Sequence, residues 1–181
     1  MSFATVTPTN MELSPMKVLF GASGSQVDLG GTLSNITISA KYMKSPLHAD
    51  QFGQSVLDRR VSGVEVTVTT ELAEIQDKDI WEVVFPHAEK LGTGSGSGAS
   101  ILFSEAIGGS DLDVAKLLTL HPLSKDLSDT STDYNFYKAV ASEESQIVYG
   151  PTEQARLKIV WNILPDTSTE PARYFKFGLL S

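Results

Sequence analysis

Two stretches of strict alternation organise the chain. Residues 35–42 set Ile36, Ile38, Ala40 and Tyr42 against Asn35, Thr37, Ser39 and Lys41. Residues 64–71 set Val64, Val66 and Val68 against Glu65, Thr67, Thr69 and Glu71. Period-two alternation rich in β-branched residues marks half-buried strands. The two runs therefore predict an antiparallel pair with one apolar and one polar face.

Between them, residues 43–62 follow neither period. Hairpin loops run to about 2–5 residues, so the spacing predicts a long inter-strand loop instead. It carries Leu47, Phe52, Val56 and Leu57, which a purely solvated loop does not need, and the charges Asp50, Asp58, Arg59 and Arg60. These residues suit an arm that orders against a neighbouring copy; the competing reading is a solvated surface loop.

The remaining pattern is a series of short strands. Residues 1–14, rich in Thr, Pro and Asn, read as an N-terminal arm. Residues 16–20 form a strand closed by Gly21 to Ser25, and a second short strand is possible over 26–29. One helix stands out: Asp77 is placed to cap it, Ile80, Trp81, Val84 and Phe85 recur at helical spacing, and Pro86 ends it. Further strands are expected over residues 100–103, 114–121, 134–141, 147–149, 156–163 and 173–179. In the clearest late strand, Leu157, Ile159, Trp161 and Ile163 share a face. Together these predict one mainly β domain over residues 1–181, an antiparallel sandwich or barrel with a flanking helix. Trp81 and Trp161 are expected core anchors.

Composition sets outer bounds. The chain has 181 residues, 41% hydrophobic and 20% charged, as one globular domain requires. A net charge of −8 argues against a nucleic-acid binder, which neutralises phosphates with cations. The absence of cysteine excludes disulfides, thiolate nucleophiles and cysteine-ligated metals. The start has no basic region followed by an apolar core, and no run reaches the ~18 apolar residues of a membrane span, so no membrane partner is expected.

Candidate chemistry is sparse. His48, His87 and His121 lie at loop or element ends without a second histidine at ligand spacing, which favours surface or packing roles. The stretch from Gly94 to Ala99 spells a relaxed G-x-G-x-x-A, but a helix end precedes it and a strand follows, the reverse of a dinucleotide site. A flexible linker fits better. Asp111 and Asp113 lack further ligands at calcium-loop spacing. No strict G-x-S-x-G elbow occurs. No catalytic residue, cofactor or metal is therefore expected.

The order of features carries a resemblance. Gly30, Gly31 and Thr32 lead into Asn35 to Ile38; a long loop follows with His48 to Gly53; the next strand runs from Gly63 to Glu71 and leads into the helix after Asp77. This resembles the major tail tube proteins of long-tailed, non-contractile bacteriophages. The similarity covers about residues 15–90 well and the last two strands loosely. It implies a structural virion protein, assembled in the host cytoplasm, whose hexameric rings stack into a hollow tail tube. DNA would pass through without specific binding, and tape-measure and terminator proteins would be further partners.

The resemblance also implies that residues 43–62 are the arm contacting the adjacent ring. Asp50, Phe52, Val56, Leu57, Asp58, Arg59 and Arg60 would carry that contact. Lys41, Glu65, Thr67, Thr69 and Glu71 would face the lumen, where negative charge repels phosphates; ordinary solvent exposure explains the same polar face. Alternatives are another ring-forming tube protein, such as a tail terminator or secretion-tube ring, and a glycan-binding sandwich. An enzyme would need the nucleophile, metal and cofactor signatures that are missing.

Overall fold

The computed structural model describes residues 14–48, 50–92, 99–103, 107–142 and 144–180. The proposed N-terminal arm, Ser14 excepted, and most of the Gly-rich stretch lie outside them. The fold is mainly β and antiparallel. The strands are β1 (Met16–Gly21), β2 (Val27–Asp28), β3 (Thr37–Leu47), β4 (Asp58–Leu72), β5 (Ala88–Leu91), β6 (Ser100–Phe103), β7 (Lys116–Pro122), β8 (Tyr134–Ala141), β9 (Gln146–Val148), β10 (Arg156–Ile163) and β11 (Phe175–Phe177). The helices are α1 (Lys78–Val84) and the single turn α2 (Asp111–Val114).

The main sheet runs β2-β1-β7-β8-β10-β4-β3, with β11 on β8 and β9 on β10. Its ends are joined. In residues 27–33, Val27 and Asp28 pair with Phe20 and Leu19 of β1, and the Leu29 N–H donates to the Val18 carbonyl at 2.9 Å. Two residues later the same segment pairs with β4: the Ala73 N–H donates to Gly31 O at 2.9 Å, and the Leu33 N–H to Glu71 O at 3.0 Å. Gly30 is the changeover, with φ 81°, a left-handed conformation that side chains resist. Residues 27–33, β1, β7, β8, β10 and β4 thus form a closed, barrel-like path.

Alternation explains what fills it. Val66, Val68, Thr70 and Leu72 of β4 and Leu157, Ile159, Trp161 and Ile163 of β10 point inward and are buried. Trp161 packs on Phe20 from the facing wall, ring centroids 4.6 Å apart, and its indole N–H donates to Thr70 Oγ1 at 3.0 Å. That bond satisfies the one polar atom of a fully buried ring, and it accounts for a threonine among valines on the inner face of β4.

The helix forms where its capping pattern places it. Asp77 accepts from the Asp79 N–H at 2.9 Å, and the chain leaves helical geometry at Phe85, before Pro86. Ile80 and Val84 enter the barrel core, while Trp81 and Phe85 meet Phe103 of β6 edge-on, ring centroids 6.1 and 5.7 Å away. Trp161 is a core anchor as expected, and Trp81 is partly buried against the same core.

Two elements depart from expectation. Ala88 to Leu91, which carry no strong strand signal, pair with β6 as a small second sheet. Residues 111–114 form a helical turn, so β7 starts at Lys116. Replacing Gly30 by Ala tests the closure. The forced left-handed residue should cost about 1–2 kcal/mol, read as a lower urea midpoint at unchanged slope; an unchanged midpoint would show that the changeover is not under constraint.

Candidate self-association surface

β3 and β4 are longer than the barrel needs. Near the barrel, Ile38 opposes Val68 and Ala40 opposes Val66, with the β4 partners buried. Beyond Lys41 and Glu65 the pairing continues to Leu47 opposite Asp58, through a bulge at Met43 and Lys44. The described residues from 39 to 62 are all exposed. A two-stranded ribbon therefore leaves the barrel and projects about 25 Å, at ~3.3 Å per residue.

This corrects the expected twenty-residue loop. Residues 43–47 and 58–62 are strand, and only residues 48–57 form the loop, with a 3₁₀ turn at Asp50–Phe52 closed by the Leu57 N–H donating to Leu47 O at 2.9 Å. Both faces of the ribbon meet solvent, so nothing imposes alternation on it. Pro46 is tolerated because β3 lies on the sheet's edge. The expected apolar packing face also fails at its far end: Ala40 is exposed and Tyr42 is 62% exposed.

All the residues expected at the contact lie together at the ribbon's end. Asp50, Phe52, Val56 and Leu57 are in the loop, and Asp58, Arg59 and Arg60 open β4. Phe52 is 60% exposed. Tyr42, Met43, Leu47 and Val61 extend the same exposed apolar surface along both strands. Sequence reasoning marked Leu47 as an apolar residue of the arm but did not assign Tyr42, Met43 and Val61 to it, because they sit where strand and loop signals blur.

Lys41, Glu65, Thr67, Thr69 and Glu71 do share the outward face of β3 and β4. β10 continues that face: Asn162 opposes Thr67, Val160 opposes Thr69 and Lys158 opposes Glu71. Its charges are balanced. Lys41 lies 3.7 Å from Glu65, and Arg156 lies 3.8 Å from Glu71. The excess negative charge expected of this face is not there, because each carboxylate sits across from a cation.

The histidines separate in role. His48 and His87 are exposed, whereas His121 is buried on β7 with Nδ1 2.7 Å from Asp133 Oδ1. Its Nε2 has no hydrogen-bond partner among the described residues. Among the described residues no group of three or more His, Asp and Glu could hold a metal, and no helix is long and apolar enough to cross a membrane. No protein-family model matches the chain, and no curated protein is significantly similar to it.

Across the barrel, the loop after β7 is built from two aspartate turns. Asp126 accepts from the hydroxyl and N–H of Ser128, and Asp129 from those of Ser131. Bonds to the ionised form hold both carboxyls below the ordinary value of 3.8, the serine hydroxyls contributing most. Their folded values being depressed, the support they give this loop is full above pH 3.8 and lost as pH falls through the folded values. The amide resonances of Ser128 and Ser131 should therefore titrate with midpoints below 3.8; midpoints at or above it would remove these turns from solution.

Proposed function

We propose that the chain is a structural subunit that assembles with copies of itself into rings stacked as a hollow tube, as in a phage tail. In this reading it is the major tail tube protein of a long-tailed, non-contractile virion. Tape-measure and terminator proteins are its further partners, and DNA crosses the bore without specific contacts. The projecting ribbon is the observation that carries the reading. A two-stranded ribbon is marginal alone in water. This one also displays Tyr42, Met43, Leu47, Phe52, Val56, Leu57 and Val61. Such a surface is the signature of an interaction site, since each side chain gains about 1.5–3 kcal/mol on full burial.

Two further features support assembly. Among the described residues the outer edge of β3 has no strand beside it in the sheet order, which leaves it open to pairing with another chain. The outward face of β3, β4 and β10 is polar and charge-balanced, so it suits a water-filled wall that neither grips nor strongly repels a passing polyanion.

Electron microscopy of the concentrated protein tests the proposal: open-ended tubes are expected, single closed rings would indicate a terminator-like role, and particles of monomer size would contradict self-assembly. Replacing residues 44–62 by Asn-Gly, which joins Met43 to its cross-strand partner Gly63 through a two-residue turn, isolates the ribbon. Stability should change by less than about 1 kcal/mol because none of the described residues removed is buried, while tubes disappear. Tubes of normal length from this variant would exclude the ribbon as the connecting element.

A further inference from the structure

Polymerisation through a projecting element requires a second, different surface on each copy to receive it, since a head-to-tail contact is the kind that propagates. Two exposed apolar surfaces qualify by composition. One surrounds β6, with Leu102 and Phe103. The other is formed by Leu127 and Leu180 around a polar cavity on the outer face of β7.

The second has the better form and position. In the closed path of residues 27–33, β1, β7, β8, β10 and β4, β7 is the third neighbour of β4 in either direction. The outside of β7 is therefore on the opposite wall from the root of the ribbon. It bears a cavity of about 580 Å³ with a polar floor that includes Thr119, His121 and Asn135 and a rim that includes Leu127 and Leu180. The floor is cross-braced: Thr119 Oγ1 donates to Asn135 Oδ1 at 2.9 Å, Gln26 Nε2 donates to Thr119 Oγ1 at 3.1 Å, and His121 pairs with Asp133. The rim is not covered, with Leu127 58% and Leu180 42% exposed.

Charge matches in the same sense. Lys44, Arg59 and Arg60 of the ribbon have no ion-pair partner among the described residues. Beside the cavity, Asp126 and Asp129 accept hydrogen bonds from serine turns and, among the described residues, also lack a cation within ion-pair distance; Lys125 lies in the same loop, and Lys17 at the cavity is already paired with Asp28 at 2.9 Å. Asp50 and Asp58 share the tip with the three cations Lys44, Arg59 and Arg60, and Lys125 lies between Asp126 and Asp129 and the strand, so the tip has an excess of cations and the loop beside the cavity an excess of carboxylates, which makes the two surfaces complementary in sign.

We propose that this cavity receives the ribbon tip of a second copy of the chain, with Phe52 seated against Leu127 and Leu180 and with Arg59 and Arg60 beside Asp126 and Asp129. The inference rests on the self-assembly reading above and names its receiving surface. The absence of native cysteine makes the test clean. Phe52→Cys and Leu127→Cys proteins, mixed under assembly conditions and oxidised, should yield a disulfide-linked heterodimer. A mixture of Phe52→Cys with Leu102→Cys should not.

Tubes that form without the first link, or with the second in its place, overturn the assignment while leaving self-assembly intact; a parent protein that never assembles overturns both. As a second measurement, the doubly substituted Leu127→Lys, Leu180→Lys protein places cations against the ribbon's cations at two exposed positions. It should fold like the parent by circular dichroism while its critical concentration for assembly rises about tenfold or more. An unchanged critical concentration contradicts the proposal.

Discussion

The hydrogen bonds that residues 27–33 make to β1 at one end and β4 at the other are what the rest of the molecule depends on. They turn an open sheet into a closed wall, and the wall can then enclose Trp161, Phe20, Phe136 and their neighbours in one core. Gly30, with its positive φ, marks the point where the segment leaves β1 and passes to β4. Closure also removes most exposed strand edges, the feature that makes open sheets prone to indiscriminate pairing.

A sealed barrel decides by exclusion what is left for other work. The fully buried positions of β4 end at Val66, Val64 packs half-buried against the core, and the described residues of the ribbon beyond it contribute nothing to that core. The ribbon is therefore supported by its own cross-strand hydrogen bonds and by exposed pairs such as Lys41 with Glu65, each worth little in water. Elements with few buried contacts occupy the low-stability end of a fold and are the ones that respond to partners. In the proposed assembly, burial of the ribbon's apolar side chains against another subunit would offset the entropy of ordering it and so link assembly to local structure.

Much of the barrel was legible because burial on one side imposes a period. β8 and β10 match the expected spans, and α1 starts and stops at the cap and proline that mark it. The signal fails where the physical cause of periodicity is missing. The ribbon is wet on both faces, so its strands read as a loop. Ala88 to Leu91 pair only with β6 and lack β-branched residues. The closure itself was invisible, because residues 27–33 make their bonds through the backbone and their side chains carry no code for the partner. The pairing of His121 with Asp133 was equally hidden, since twelve positions separate them and an outward position of β7 that is buried looks in sequence like an exposed one. The expected contact residues fall together at the ribbon's end despite the wrong element, since apolar side chains in a polar context stand out equally on a loop or a strand.

The central claim is that the ribbon is held in place by another copy of the chain and not by its own barrel. Hydrogen–deuterium exchange across a concentration series addresses this directly. Amides of residues 39–62 should exchange quickly in dilute protein and become protected as the protein assembles, while the amides of β4 and β10 opposite Trp161 stay protected throughout. Ribbon amides that exchange at one rate in both monomer and assembled particle would contradict the account.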